Sequence, residues 1–225
     1  MKSLGSDETA SLSETHAAIL QTVLGGMSVP ASKLASLLAE YDPEDDALLC
    51  VAKINTAIAP VGLRIVSAVD EASGELVYLL KNTKEAALYG ESPYSPSETR
   101  IAEKTVECVM EQDGQIESVS LINRVFHKCD KKTPHQEIEN TLDMLVREGW
   151  FVDREGVFAL GVRTVVDLEH HLKEAYPEKA VFCAACSRIA LQPKICTDCG
   201  AQTHRTCSPN ACYVCAPCVK EDTNK

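Results

Sequence analysis

Apolar residues recur at helical spacing three times in the first part of the chain, and two shorter apolar runs follow them. The three helical stripes are Ile19, Leu20, Val23 and Leu24, then Leu34, Leu37 and Leu38, and then Leu48, Val51, Ile54 and Ile58. The two runs, residues 63–69 and 76–81, are joined by a segment ending in Gly74, as in a β-hairpin. Three helices followed by a hairpin is the order of a winged helix, which we expect over residues 13–85.

The same order of elements repeats further along the chain. The second set of helical stripes is Ile101, Val106 and Val109, then Val119, Leu121, Ile122, Val125 and Phe126, and then Ile138, Leu142, Leu145 and Val146. Thr133, with Gln136 three residues later, predicts a capping box at the start of the third helix. The runs 150–152 and 157–160 predict a second hairpin, with Trp150 as a core anchor beneath it. We therefore expect a second winged helix over residues 96–163.

The chain has 225 residues and eleven cysteines, but no apolar run of the ~18 residues that would span a membrane. Its first residues are polar and lack the apolar centre of a signal peptide, so we expect an intracellular protein without a membrane partner. Because the cytosol and nucleus keep thiols reduced, the cysteines need a purpose other than disulfides. Cys50, Cys108 and Cys129 are scattered and predicted to be small core residues, whereas the other eight lie between Cys183 and Cys218.

The net charge of −11 argues against general nucleic-acid binding, because an acidic surface repels phosphate. Residues from Ala180 onward carry five Lys or Arg and three Asp or Glu, so the acidity belongs to the preceding part of the chain. Winged helices often read DNA through the third helix, but acidic residues outnumber basic ones around both third helices. One small basic cluster is interpreted as a solvated helix end: Arg124, His127, Lys128, Lys131 and Lys132. We do not expect this chain alone to bind DNA.

The clustered cysteines and one histidine have the spacing of zinc ligands. Two cysteines separated by two residues form a turn that aims both sulfurs at one metal, and four ligands complete a tetrahedral shell. The candidates are Cys183, Cys186, Cys196, Cys199, His204, Cys207, Cys212, Cys215 and Cys218. Eight of the nine would bind two zinc ions. Because such closed sites leave no position for water, we expect structural zinc in a segment too short to fold without it.

In a cross-brace, the first and third ligand pairs bind one ion, and the second and fourth pairs bind the other. The first ion then has the ligands Cys183, Cys186, His204 and Cys207. The second has Cys196 and Cys199 with either Cys212/Cys215 or Cys215/Cys218. We favour the later pair, with Cys212 as the spare, because the chain has only four residues between Cys207 and Cys212 in which to cross to the second ion.

This ligand order fits three kinds of module. In a RING, a hydrophobic surface docks a ubiquitin-conjugating enzyme, and the candidate residues for that surface are Ile189, Leu191 and Pro217. A PHD finger, which reads histone tails, has the same ligand order, and Tyr213 resembles its aromatic residue before the last pair. The loop after Cys207 is short for a PHD finger, however, and no aromatic cage is visible. The third possibility is a module that only stabilises or docks.

Several segments outside the zinc module match one family pattern. They are Ile54-Asn55 with PVGL at 60–63, GELVY at 74–78, GWF at 149–151 with GVFALGVR at 156–163, and Asp167-Leu168. Together with the two winged helices and the zinc-ligand order, they make nearly the whole chain resemble the non-SMC element one family. Members of that family are the variant-RING subunits of the chromosome-maintenance complex built on SMC proteins five and six. The LG-x-R segment before the module is the most specific part of the resemblance.

The resemblance implies a nuclear, chromosome-associated protein in DNA repair by homologous recombination. Its winged helices would bind a MAGE-type subunit, which forms a trimer with a kleisin subunit, and its RING would support ubiquitin-ligase activity with that partner. A non-catalytic adaptor, whose zinc module only stabilises the subcomplex, is the alternative function. The predicted fold is α+β: winged helices at 13–85 and 96–163, a linking helix at 164–180, a two-zinc variant RING at 181–219, and flexible tails at 1–12 and 220–225.

Overall fold

The structure is a computed structural model that describes residues 12–43, 45–71, 73–83, 93–129 and 133–207. Several predicted features lie outside these residues: most of the N-terminal tail, the C-terminal tail, Lys131, Lys132, Cys212, Cys215, Pro217 and Cys218. Within the described residues, helices and short antiparallel sheets alternate, which makes the fold a mixed α+β one. No helix among them combines the length and apolar character needed to cross a membrane.

The first group of elements, here called unit A, spans residues 12–83. Its elements are α1 (Glu14–Gly25), β1 (Val29–Pro30), α2 (Ala31–Tyr41), α3 (Ala47–Ile58), a 3-10 turn (Ala59–Val61), β2 (Leu63–Val69) and β3 (Leu76–Asn82). The three strands form an antiparallel sheet in the order β1-β3-β2. The predicted three helices and hairpin are therefore present, and β1 is an addition that the sequence pattern did not predict.

Side-chain hydrogen bonds fix where the helices of unit A begin. Ser13 and His16 form a reciprocal capping box at the start of α1, in which the His16 ring accepts from the Ser13 backbone N–H. Asp46 caps α3 by accepting from two backbone N–H groups. Asn55 then ties α3 to β2, because its amide both donates to and accepts from the Ile65 backbone, at 2.9 and 2.7 Å.

The second group of elements, unit B, spans residues 93–160. It contains α4 (Pro96–Glu111), β4 (Gln115–Glu117), α5 (Ser118–Lys128), α6 (His135–Arg147), β5 (Phe151–Arg154) and β6 (Val157–Leu160). The sheet order is β4-β6-β5. The capping box predicted at Thr133 is wrong: the helix begins one residue later than a Thr133 cap requires, and Pro134 is the N-cap without a side-chain hydrogen bond.

Two separate apolar cores lie within the described residues. Unit A buries Ile19, Val23, Leu34, Leu38, Cys50, Val51, Ile54, Ile58, Ile65 and Tyr78. Leu48 and Val119, predicted to face the two cores, are instead 67% and 72% exposed. Each lies two residues before the first buried residue of its helix, Cys50 or Leu121. Because two residues turn a helix by about 200°, Leu48 and Val119 lie on the face of the helix that points away from the core. The scattered cysteines Cys50, Cys108 and Cys129 are all buried, as predicted.

The core of unit B extends beyond the unit. It includes Trp150, Phe151 and Phe158 and also Leu168, Leu172, Ala180 and Ile189 from the following segments. The predicted single linking helix is two helices, α7 (Val162–Asp167) and α8 (Glu169–Ala175). Leu168 separates them with φ −97° and ψ 14°, and its side chain is buried in the core of unit B. The chain therefore turns between α7 and α8 where Leu168 and Leu172 pack into that core. Helical periodicity alone does not predict this turn.

The GW and LG-x-R segments form one structural joint at the end of α6. Gly149 has φ +76°, and the N–H groups of Gly149 and Trp150 donate to the Val146 and Leu145 carbonyls, a Schellman motif. Gly161 donates to the Trp150 carbonyl at 2.8 Å.

The indole of Trp150 is fully buried, and the Arg163 guanidinium lies 4.0 Å from its ring centroid. Arg163 also donates to the Glu148 carbonyl at 3.0 Å. The residues that carry the family resemblance thus hold β5 and β6 to the start of α7.

Candidate metal centre

The C-terminal module, residues 181–207, is built from two small antiparallel pairs. Its strands are β7 (Val181–Phe182), β8 (Ile189–Ala190), β9 (Lys194–Ile195) and β10 (Gln202–Thr203), paired β7-β8 and β9-β10. Each pair flanks a tight turn that carries a Cys-x-x-Cys sequence. Few apolar side chains hold these short strands together, so the cysteines have to supply cohesion.

The two Cys-x-x-Cys turns share one backbone geometry. In the first, Ser187 N–H donates to the Cys183 carbonyl at 2.8 Å, and Ser187 has φ +58°. In the second, Gly200 N–H donates to the Cys196 carbonyl at 2.9 Å, and Gly200 has φ +73°. The left-handed residue after each Cys-x-x-Cys closes the turn, which is the local geometry expected of a metal-binding knuckle.

Four of the nine candidate ligands meet in one cluster. Ligand atoms of Cys183, Cys186, His204 and Cys207 all lie within 4.8 Å of one another. His204 Nδ1 lies 3.3 Å from the sulfur of Cys186 and 3.7 Å from that of Cys207. A tetrahedral zinc ion with sulfur and nitrogen ligands separates them by about 3.5–3.8 Å. The cluster is therefore compatible with a zinc module.

The electrostatics of the cluster favour a cation at its centre. Burial opposes ionisation of Cys183, but backbone N–H groups of His204, Cys186 and Ala185 outweigh it and lower the thiol pKa to about 6. Burial first, and then the nearby Cys183 and Cys186 sulfurs, raise the pKa of Cys207 to about 12. Several thiolates so close together repel one another, and a divalent cation among them would remove that repulsion.

Two groups lie against the His204 ring nitrogen that faces away from the cluster: the Ile189 carbonyl and Glu71, which the sequence did not single out. His204 Nε2 lies 2.8 Å from the Ile189 carbonyl. Because a carbonyl oxygen can only accept, Nε2 carries the proton and donates it, which leaves the Nδ1 lone pair available to a metal. The Glu71 carboxylate, from the β2–β3 loop of unit A, lies 3.5 Å from the same nitrogen.

Glu71 also accepts the backbone N–H groups of Leu191 at 2.8 Å and Gln192 at 3.1 Å. Burial raises the pKa of Glu71, and these hydrogen bonds and His204 oppose that rise. A glutamate in a predicted hairpin loop carries no local signal of this role, because its partners lie far away along the sequence.

The second predicted site is only partly within the described residues. Cys196 and Cys199 occupy the second knuckle, with Cys196 buried and Cys199 exposed. Cys212, Cys215 and Cys218 lie outside the described residues. The assignment of a second ion therefore stays a prediction, as does the choice of its last pair.

The residues predicted to dock a conjugating enzyme have different positions. The Ile189 side chain is only 4% exposed and belongs to the core of unit B, whereas a docking residue has to be on the surface. It packs inward because β8 lies against that core. Leu191 is half-buried and packs against the same core. Pro217 lies outside the described residues.

Comparison with known proteins gives consistent relatives along most of the chain. No protein-family profile matches it. It is 27% identical over 209 residues to a Xenopus laevis protein called non-structural maintenance of chromosomes element 1 homolog, covering 88% of this chain and 76% of the relative. The human protein of that name is 26% identical over 156 residues, covering 68% and 59%. The Schizosaccharomyces pombe non-structural maintenance of chromosomes element 1 is 24% identical, covering 90% and 89%.

A solved structure shares the fold. A chain of an assembly titled Nse1-Nse3-Nse4 complex matches with a TM-score of 0.71 and 24% identity, covering 92% of this chain and 97% of that one. Fold and cluster together define a class of α+β proteins in which two helix-and-hairpin units precede a compact Cys/His module. Within that class, the chain is similar to the proteins named non-structural maintenance of chromosomes element 1.

Proposed function

We propose that this chain is a subunit of the SMC five/six complex that binds a MAGE-type subunit and, with it, a kleisin subunit. The observation that carries the proposal is the likeness to a chain of the Nse1-Nse3-Nse4 complex over almost the full length of both chains. The sequence relatives, named for chromosome maintenance, support the same role. The protein would act in the nucleus, on chromosomes, in DNA repair by homologous recombination.

Units A and B are proposed to be winged helices that bind protein rather than DNA. Exposed apolar side chains on α3 of unit A, Leu48 and Leu49, support a protein partner there. In unit B, Lys128 is paired with Glu107 at 2.6 Å and with Glu111 at 2.8 Å. A lysine already neutralised by two carboxylates is a poor phosphate ligand.

Partner binding can be tested in the full chain. We expect the double variant Leu48→Asp/Leu49→Asp to lose most co-purification with the MAGE-type and kleisin subunits, because two carboxylates would oppose burial of that surface. Val119→Asp, at an equally exposed position on α5 of unit B, is the matched control and should keep the complex. If the parent chain, the double variant and Val119→Asp co-purify the partners equally, the surface of α3 is not the docking site. If the parent chain brings neither partner, the proposed membership fails.

The C-terminal module is proposed to be a structural two-zinc variant RING, with zinc bound by Cys183, Cys186, His204 and Cys207. The clustered ligand atoms and the lowered pKa of Cys183 support the first ion. Ubiquitin-ligase activity with the MAGE-type partner is the proposed contribution of the module. A reconstituted ubiquitin assay should give chains with the parent protein and with Cys108→Ser, and none with Cys183→Ser.

One observation favours the second candidate function, a non-catalytic adaptor. Ile189, which a RING of the usual kind would present to the conjugating enzyme, is buried against unit B. If the parent protein and its partner form no ubiquitin chains while the complex stays intact, the adaptor function is correct and the ligase function is not.

A further inference from the structure

Three side chains of different ligand types meet in unit A, far along the sequence from the C-terminal module. His16 comes from α1, Asp45 from the loop before α3, and Cys50 from α3 itself. One ligand atom from each lies within 4.8 Å of the other two. His16 and Cys50 are buried, and Asp45 is half-buried. Imidazole, carboxylate and thiolate are the three side-chain groups that bind zinc in proteins.

His16 has a buried nitrogen that no group in the described residues satisfies. Its side chain is only 6% exposed, and Nε2 is the one buried side-chain nitrogen or oxygen among those residues that lacks a hydrogen-bond partner. Nδ1 is already engaged by the Ser13 hydroxyl and backbone. Leaving a buried polar atom unpaired is unfavourable because the atom has lost its hydrogen bonds to water, so such an atom indicates a missing ligand.

The other two members of the cluster are linked to each other. The Cys50 thiol donates to Asp45 Oδ2 at 3.0 Å. Burial, and then Asp45, raise the pKa of Cys50 to about 11, so the thiol keeps its proton at neutral pH. The hydrogen bond from Cys50 is also the main cause that lowers the pKa of Asp45. A divalent cation would take the place of that thiol proton, because a coordinated thiol is deprotonated.

We propose that His16, Asp45 and Cys50 bind a third divalent cation of the zinc type, independent of the C-terminal module. His16 would bind through Nε2 in the tautomer that has its proton on Nδ1. That proton would be donated to the Ser13 hydroxyl, in place of the hydrogen bond that Nδ1 otherwise accepts from the Ser13 backbone N–H. Cys50 would release its proton to solvent. Three protein ligands leave a fourth position for water. The ion would tie α1 to the start of α3 and so stabilise unit A.

The chain offers a conservative way to remove one ligand. In His16→Gln, the introduced glutamine lies three residues after Ser13 and keeps the Ser-x-x-Gln form of the capping box, so α1 keeps its cap while the imidazole is lost. Cys50→Ala removes the thiolate. Cys108→Ala is the matched control, because Cys108 is also fully buried with a pKa raised by burial to about 11, but it lies outside both clusters.

The experiment measures zinc bound per full-length chain after equilibrium dialysis against buffered Zn²⁺. We expect His16→Gln and Cys50→Ala each to bind one ion fewer than the parent chain and Cys108→Ala, or to bind the last ion at least tenfold more weakly. Added Zn²⁺ should also raise the Tm of the parent chain more than that of His16→Gln. Equal stoichiometry and affinity in all four proteins would overturn the proposal. If the C-terminal module itself fails to bind zinc, the zinc content of all four proteins should be lower by the same amount. Loss of the unit A site instead lowers it only in His16→Gln and Cys50→Ala.

Discussion

Units A and B contain the same order of elements but differ in how much apolar surface they leave exposed. In the described residues, the large exposed hydrophobic side chains of unit A are Leu24, Met27, Tyr41, Leu48, Leu49, Val61 and Leu76. Unit B exposes Val119. A concentration of exposed apolar side chains on one of two similar units indicates that this unit has surface reserved for something other than its own core.

The two units also join the C-terminal module in different ways. Unit B shares its core with Ala180 and Ile189, so that junction is apolar. Unit A reaches the module through hydrogen bonds, from Arg188 to Ser67 at 2.6 Å and from two backbone N–H groups to Glu71. An apolar junction holds whole surfaces together, whereas a polar one depends on a few groups. We infer that unit B and the module behave as one folded body, whereas unit A meets the module through these polar groups.

The largest expected effect comes from removing metal. Structural zinc sites contribute about 10 kcal/mol or more to folding in isolated zinc-finger peptides. If the module and unit B are one body, a strong chelator should change the fluorescence of Trp150, the single tryptophan of the chain, which lies in the core of unit B. Emission should shift to longer wavelength as thiols become reactive. Reactive thiols with unchanged emission would mean that unit B folds independently of the module.

The next largest effect is predicted for Gly161→Ala, which disrupts the contact between the GW and LG-x-R segments. A Cβ there would lie 2.2 Å from the Gly149 carbonyl oxygen and 2.9 Å from that of Trp150. Backbone atoms cannot move aside as a side chain can, so we expect a loss of more than about 4 kcal/mol in urea unfolding. Gly25→Ala, where an added Cβ meets nothing within 4 Å, should change stability by less than about 1 kcal/mol. Similar losses in both variants would contradict this account.

Helices and hairpins were predictable because their signals are local. The stripes on α1 to α6 and the two hairpin runs lie within a few residues of one another, and the structure contains all of these elements. The strands β1 and β4 were missed because they are two and three residues long and pair with distant strands. The bend at Leu168 was missed because it depends on the core of unit B.

The candidate metal centre also has features with local sequence signals and features that depend on long-range packing. The cysteines and the histidine of the cluster could be identified from their spacing, since each Cys-x-x-Cys pair lies in one turn. The support of His204 by Glu71 could not, because the two residues belong to distant parts of the chain and only folding brings them together. Burial of Ile189 was missed for the same reason: an apolar residue in a zinc module looks like surface until the neighbouring unit is placed.

A smaller effect is expected at the polar junction of unit A. Glu71→Ala leaves the backbone N–H groups of Leu191 and Gln192 without their acceptor, which should cost about 1–3 kcal/mol. Hydrogen exchange at those two amides should become faster while Trp150 fluorescence stays unchanged. Glu75→Ala, at an exposed carboxylate on the same hairpin, is the control and should leave both signals as they are. A change in Trp150 emission would show that the two junctions are not separate.

The smallest effect on stability is predicted for the exposed surface of unit A. Leu48→Gln should change the free energy of unfolding by less than about 0.5 kcal/mol, because the side chain is mostly in solvent. Ile54→Val, which deletes one methyl group in the core of the same helix, should cost about 0.5–1.5 kcal/mol. Urea unfolding of both variants compares the two faces of α3 directly. An equal cost would mean that Leu48 packs on something within the chain. A lower cost for Leu48→Gln would mean that folding does not require a leucine there, as expected of a side chain in a partner-binding surface.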